Sequence, residues 1–149
     1  MYSLFDPTED SQTIQRISKL TAATPAQWGK MNVAQMLVHA RVALQTAFGE
    51  VIVSRSIMGL FVGGIAKKQI LNDRQFKKNL PTEKRFVIAD QRDFDQERTL
   101  SSRPFGDLLR WDRNGLPQET HPFFGKLTTQ EWDKLMWKQL DHHLRQFGA

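Results

Sequence analysis

The chain has 149 residues, of which 40% are hydrophobic and 25% charged, a composition typical of one globular domain and not of a disordered chain. It contains no cysteine, which excludes disulfides, thiolate zinc sites and a cysteine nucleophile. The formal net charge is +5, with the surplus concentrated in residues 67–85. No zinc-finger or aromatic–basic RNA-binding signature accompanies this basic cluster, so we expect solvated surface and no nucleic-acid partner. An anionic small molecule would also suit it.

The hydropathy pattern predicts neither a signal peptide nor a membrane span. Residues 1–10 have no basic region followed by a hydrophobic one. The longest uncharged run, residues 56–66, is too short to span a bilayer, which requires about 20 residues. We therefore expect a soluble cytoplasmic protein with no membrane partner.

Two helices are predicted in the first third of the chain. Asp6 followed by Pro7 indicates an N-cap and a first helical residue. Asn32 with Gln35 three residues later predicts a capping box at the start of the second helix. Apolar residues at helical spacing give this helix one buried face, and His39 lies at the margin of that face.

Residues 57–71 are compatible with a helix that contains Gly59, Gly63 and Gly64. The spacing of Gly59 and Gly63 permits close backbone packing. The sequence leaves open whether this segment forms a close helix crossing, a mobile lid or a partner surface.

A third long helix is predicted after a short extended piece at residues 86–88. Asp90 is its predicted cap, and Pro104 is expected to kink or split it. Residues 113–115 are its predicted end. A loop at residues 115–127 follows and carries His121, whose neighbouring phenylalanines are expected to plug the end of the core.

The last helix, predicted at residues 128–147, opens with a capping box of Thr128 and Glu131 and stops at Gly148. A helical wheel gives it a broad apolar arc. Four polar side chains fall within that arc or at its edge: Gln139, His142, His143 and Gln146. Buried polar groups must find partners, so they form either a structural network or a site.

Three or four long helices with few strand signals predict an all-α helix bundle, organised as a single domain over residues 1–149. Positions 139 and 143 lie one turn apart on the same side of the last helix. With His39 from another helix, His143 could join a facial metal site with open positions. Gln139 would be a weak third ligand. Alternatively, Gln139, His143, Gln146 and His39 form a hydrogen-bonded network that fixes helix register.

Three stretches carry a resemblance to a known family: WGKMNVAQMLVHA at residues 28–40, HPFFGKLT at 121–128 and DHHLRQFG at 141–148. They resemble a branch of uncharacterised function within the DinB-like (YfiT-like) metalloenzyme superfamily, over most of the chain. The resemblance implies an up-down-down-up four-helix bundle with an extra short helix and irregular links. It also implies a homodimer.

The resemblance places metal ligands at His39 on the second helix and His143 on the last, with the remaining ligand position at Gln139, where the branch usually has histidine. The implied cofactor is a divalent metal (Zn, Ni or Fe), bound weakly or not at all because of Gln139. The implied chemistry is that of a thiol-dependent transferase or isomerase acting on a small-molecule or thiol substrate. His121, His142 and Gln146 are accessory candidates. The alternative is a non-enzymatic binding or structural bundle protein.

Overall fold

A computed structural model describes residues 3–82, 84–107 and 120–149. Its helices are α1 (Pro7–Ser18), α2 (Val33–Ala47), α3 (Ile57–Ile70), α4 (Phe94–Asp107) and α5 (Thr129–Gln146). A 3-10 turn, Lys84–Phe86, lies between α3 and α4. Strands β1 (Thr120–His121) and β2 (Gly125–Lys126) form an antiparallel hairpin before α5. The described part of the chain therefore belongs to the all-α class, as predicted.

The predicted starts of α1, α2 and α5 are confirmed by their caps. The Asp6 carboxylate accepts from the backbone amides of α1's first turn. Asn32 and Gln35 exchange hydrogen bonds of 2.9 and 3.0 Å between side chain and backbone. Thr128 and Glu131 do the same at 3.2 and 2.8 Å. Because each cap satisfies amides that have no partner within the helix, these short motifs are readable from sequence alone.

The predicted start of α4 is wrong, because the helix begins later in the chain than predicted. Asp93, and not Asp90, precedes the first helical residue, and its carboxylate accepts from the amide of Gln96 at 2.8 Å. Both aspartates are competent caps, so only the fold of the preceding segment chooses between them. The helix continues through Pro104 to Asp107 without splitting. The predicted helix end at residues 113–115 lies outside the described residues.

Two irregular segments also differ from expectation. Phe86 belongs to the 3-10 turn and is not extended, and its carbonyl oxygen faces a histidine of α2. The described part of the predicted loop at residues 115–127 contains the β-hairpin. The first difference involves a contact with the distant helix α2, whereas the hairpin pairs residues no more than six positions apart, from Thr120 to Lys126.

The core lies among α1, α2, α4 and α5, since α1 and α2 each contact both α4 and α5. The predicted apolar face of α2 is buried in it. The largest fully buried apolar side chains are Trp132, Leu4, Leu20, Met36, Leu37 and Leu144.

Helix α3 is built differently: it packs on the hairpin, with Gly59 and Gly63 against the backbone of Phe123. Among the described helices none is long and apolar enough to cross a bilayer.

Candidate functional site

The contact between α2 and α5 brings together two histidines, which form the centre of an imidazole cluster consisting of His39, Gln139, His143 and Gln146. His39 is 6% exposed and His143 is 8% exposed. Their ring centroids lie 4.8 Å apart in an edge-to-face arrangement. The two histidines predicted to share a site are therefore neighbours, although 104 positions separate them in the sequence.

Each of these rings is oriented by a carbonyl oxygen. The Nδ1 of His39 lies 2.8 Å from the carbonyl oxygen of Phe86, which can only accept a hydrogen bond, so Nδ1 carries the proton. The Nδ1 of His143 lies 2.9 Å from Oε1 of Gln146. The amide of Gln146 is itself oriented, because its Nε2 donates to the Trp28 carbonyl at 2.7 Å. His143 is therefore also protonated on Nδ1, and both neutral rings keep the lone pair on Nε2.

Gln139 approaches the free nitrogen of His39. Its Nε2 lies 3.3 Å from Nε2 of His39, which accepts the hydrogen bond. Gln139 is one turn before His143, so the same face of α5 supplies both groups. In this orientation, the amide N–H of Gln139 donates to the lone pair of His39 Nε2. Rotating the amide by half a turn would present its oxygen instead.

Burial keeps the two central histidines neutral at physiological pH. Desolvation lowers the pKa of His39, and the hydrogen bond to the Phe86 carbonyl partly offsets this effect. Desolvation, with a smaller contribution from the adjacent His39, lowers the pKa of His143 to about 3. Neutral imidazole is the form that binds metals, so no proton competes for Nε2 near pH 7.

His142 lies beside the cluster. Its ring contacts those of Trp28, Phe76 and His143, at centroid distances of 5.7, 5.8 and 5.1 Å. Burial lowers its pKa, and among the described residues its buried Nδ1 has no hydrogen-bond partner. This histidine is thus a neighbour of His143 on the side of Trp28 and Phe76.

His121 is not brought to the cluster. Its Nδ1 accepts hydrogen bonds from the backbone amides of Phe123 and Phe124 at 3.0 and 3.1 Å, and its ring packs 5.1 Å from that of Trp132. Trp132 lies about three helical turns, or ~16 Å, from His143 along α5. Desolvation lowers the pKa of His121 to about 4. Its role in the structure is to close the tip of the hairpin.

The end of α5 is clamped by the connector between α1 and α2. The Gln27 amide donates to the Gln146 carbonyl at 2.7 Å. Gly29 has φ +81°, and a Cβ there would lie 2.5 Å from Nε2 of Gln146. Gly29 therefore makes room for the amide that orients His143. The sequence pattern missed the Phe86 carbonyl, which orients His39, and the Trp28 carbonyl, which orients His143 through Gln146, because backbone groups leave no side-chain signal.

A separate groove of about 340 Å³ lies beside α5 and is lined by charged side chains of both signs, which include Lys134, Lys138, Asp73 and Asp141. It includes no member of the imidazole cluster. Lys138 donates to the carbonyls of Ile70 and Asn72, so it holds the end of α3 against α5. This lysine is therefore a helix-end partner.

The donor set of the imidazole cluster fits the metal that the resemblance implies only in part. Among the described residues, no three side chains of histidine, cysteine, aspartate or glutamate are grouped to hold a metal ion. The available donors are two oriented imidazole nitrogens and one amide oxygen. Two of the three donors fit a transition metal well, and the third fits it weakly. Neither a family model nor a curated protein nor a solved structure matches this chain.

Proposed function

We propose that this chain is a DinB-like protein that binds one divalent transition metal (Zn, Ni or Fe) between α2 and α5. The ligands are Nε2 of His39 and Nε2 of His143, and the amide of Gln139 is a weak third donor. In this proposal, His142 and Gln146 support the ligands, and His121 takes no part.

The main support for this proposal is the orientation of the two imidazoles. Each ring donates its Nδ1 proton to a carbonyl oxygen, at 2.8 Å for His39 and 2.9 Å for His143. Metal-binding histidines are typically oriented in this way, because the outer hydrogen bond selects the tautomer and raises the basicity of the other nitrogen.

Gln139 sets the strength of the site. A neutral amide oxygen is a harder and weaker donor than imidazole, so affinity for a borderline-soft metal falls when it replaces a third histidine. It must also give up its hydrogen bond to His39 before the metal can reach that nitrogen. We therefore expect weak binding by the natural chain.

A divalent metal held by these residues would supply Lewis-acid chemistry, in which water or a thiol is activated toward an electrophile. The chain's own part is to hold two neutral imidazoles at fixed orientation within a buried environment. A thiol-dependent transferase or isomerase acting on a small molecule is the reaction class most consistent with such a site.

A specific contact favours a second candidate function, in which the cluster is a packing network of a non-enzymatic bundle protein. Gln139 already donates to the lone pair of His39, and Gln146 links His143 to the Trp28 carbonyl. These bonds join α2, α5 and the connector, so they can fix the register of α5.

Metal titration of untagged, chelator-treated protein tests the proposal. We expect the natural chain to bind Zn²⁺ or Ni²⁺ weakly, and Gln139→His to bind it at least about tenfold more tightly, since a third imidazole completes the site. His39→Ala should abolish binding in both backgrounds. Isothermal calorimetry and elemental analysis of the metal give affinity and stoichiometry.

His121→Gln is the matched control, because it removes a half-buried histidine that lies away from the cluster. It should leave metal affinity unchanged. Tight binding by Gln139→His with none by the natural chain would favour the packing network. Absence of binding in both, or equal losses in His39→Ala and His121→Gln, would overturn the metal site.

A further inference from the structure

Helix α3 has its side chains arranged in reverse of an ordinary surface helix. Its two buried residues are Gly59 and Gly63, which meet the backbone of Phe123. The large apolar side chains point away from the protein: Ile57 is 76% exposed and Phe61 is 80% exposed. The remaining exposed apolar residues of the helix are Met58, Leu60, Val62 and Ile65. A contiguous apolar surface of this kind marks a contact with something outside the chain.

We name this surface the α3 face, consisting of Ile57, Met58, Phe61, Ile65 and Lys68. On a helical wheel these five residues share the side opposite the two buried glycines. The glycines allow the helix backbone to approach the hairpin closely. The side of the helix that faces away from the hairpin is exposed. Ser56 ties its start to the hairpin through a 2.9 Å hydrogen bond to the Pro122 carbonyl.

The charged residues of the segment that carries α3 have one sign. Residues 51–72 contain no acidic residue, and their basic residues are Arg55, Lys67 and Lys68. Lys67 turns inward to pair with Glu131 at 2.8 Å. Arg55, Lys68 and Lys126 are exposed, and within the described ranges none of them forms an ion pair with a carboxylate. The apolar surface is thus bordered by free cations.

This charge distribution selects among the occupants of the face. A second copy packed helix to helix would bring Arg55 and Lys68 of both copies together with no acidic residue on either α3 to offset them. Nucleic acid would meet the cations but leave the apolar side chains without a partner. An anionic lipid surface offers both an apolar layer and a negative headgroup layer, at the depths that a flat helix reaches.

We propose that α3 docks the protein on an anionic lipid bilayer surface. Phe61, Ile57 and Ile65 enter the boundary between headgroups and acyl chains, while Arg55 and Lys68 meet lipid phosphates. The helix lies in the plane of the interface and does not span the bilayer. This docking is independent of the metal site, because the α3 face includes no member of the imidazole cluster.

Vesicle co-sedimentation of the full chain tests the docking. We expect vesicles of phosphatidylcholine with phosphatidylserine to bind the protein at least about tenfold more than phosphatidylcholine alone, with binding reduced by salt. Phe61→Ser should reduce binding by roughly tenfold, because it removes the most exposed apolar side chain of the helix. Lys68→Glu should reduce binding to the anionic vesicles by about fivefold or more.

Ile14→Ser is the matched control, since Ile14 is an exposed apolar residue of another helix. It should bind vesicles as the natural chain does. Far-ultraviolet circular dichroism confirms that each variant is folded. Equal binding to neutral and anionic vesicles, no binding to either, or equal losses in Phe61→Ser and Ile14→Ser would overturn the proposal. So would a vesicle-free dimer that Phe61→Ser converts to monomer, because a second copy would then cover the face.

Discussion

Helices α5 and α3 depart from ordinary amphipathicity in opposite ways. The inward side of α5 carries His143 and Gln146 among its apolar residues, and both are buried. The outward side of α3 carries Phe61 and its apolar neighbours, and they are exposed. On α5, His143 and Gln146 bond to each other, and Gln146 also bonds to the Trp28 carbonyl. On α3, the unusual residues have no partner among the described residues.

The difference separates two kinds of exception to the rule that apolar groups are buried and polar groups exposed. A buried polar side chain is tolerated only when its hydrogen bonds are satisfied, so it reports an internal network. An exposed apolar surface is tolerated at a smaller free-energy cost, and it reports a contact outside the chain. Substitutions on the two helices should therefore affect different measurements.

The largest effect is expected at the buried side of α3. Gly63→Ala places a Cβ against the Phe123 carbonyl oxygen, closer than atoms can approach, and this contact is with backbone that has little freedom to move. We expect a loss of about 3 kcal/mol in the free energy of unfolding, measured by urea denaturation. Gly64→Ala is the control, because a Cβ there meets open space; it should gain about 0.5–1 kcal/mol through helix propensity. Equal effects of both substitutions would contradict the close packing.

A smaller loss is expected from His143→Leu in the presence of chelator. Gln146 is 3% exposed, and its Oε1 loses its donor when the imidazole is removed. A buried acceptor left without a partner costs about 2 kcal/mol. Gln139→Leu is the matched change one turn away on a half-buried position, and it should cost less than about 1 kcal/mol. Similar losses in the two variants, by urea denaturation, would show that Gln146 does not depend on His143.

The next effect is a pH dependence of stability. The pKa of His143 is about 3 in the folded protein, below the ordinary value of 6.5, so the unfolded chain binds a proton first as pH falls. The free energy of unfolding is therefore not reduced by protonation of His143 above pH 6.5. Below that pH it falls by about 1.4 kcal/mol per pH unit, because only the unfolded chain takes up the proton. The stability of the natural chain should therefore fall more steeply than that of His143→Leu between pH 6 and pH 4. Parallel slopes in urea denaturation would contradict a neutral, buried ring.

The smallest effect is expected on the exposed side of α3. Phe61→Ser should change the free energy of unfolding by less than about 0.5 kcal/mol, because the ring is already in water. Thermal denaturation without vesicles checks this. Phe94→Ser, in which the replaced ring is buried in the core, is the comparison and should lose several times more. A large loss in Phe61→Ser would mean that the ring is covered.

Local sequence was sufficient to predict the helices whose ends are satisfied locally. The capping boxes at Asn32 and Thr128 were readable because the groups that pair lie three residues apart. The start of α4 was not, since Asp90 and Asp93 are equally good caps in isolation. His39 and Gln139 could be chosen as site residues from spacing and resemblance, whereas the position of His121 depended on a hairpin that the local pattern did not predict.

The amino-acid sequence by itself determined the all-α class, the polar positions on the inward side of α5 and the glycine spacing of α3, because these depend on helical periodicity within one segment. Only the tertiary structure decided which nitrogen of each imidazole is free and which side of α3 is exposed. The first depends on the carbonyls of Phe86 and Trp28, which belong to distant segments. The second depends on the Phe123 backbone, against which only a glycine surface can pack. Long-range contacts with backbone atoms leave no trace in side-chain pattern.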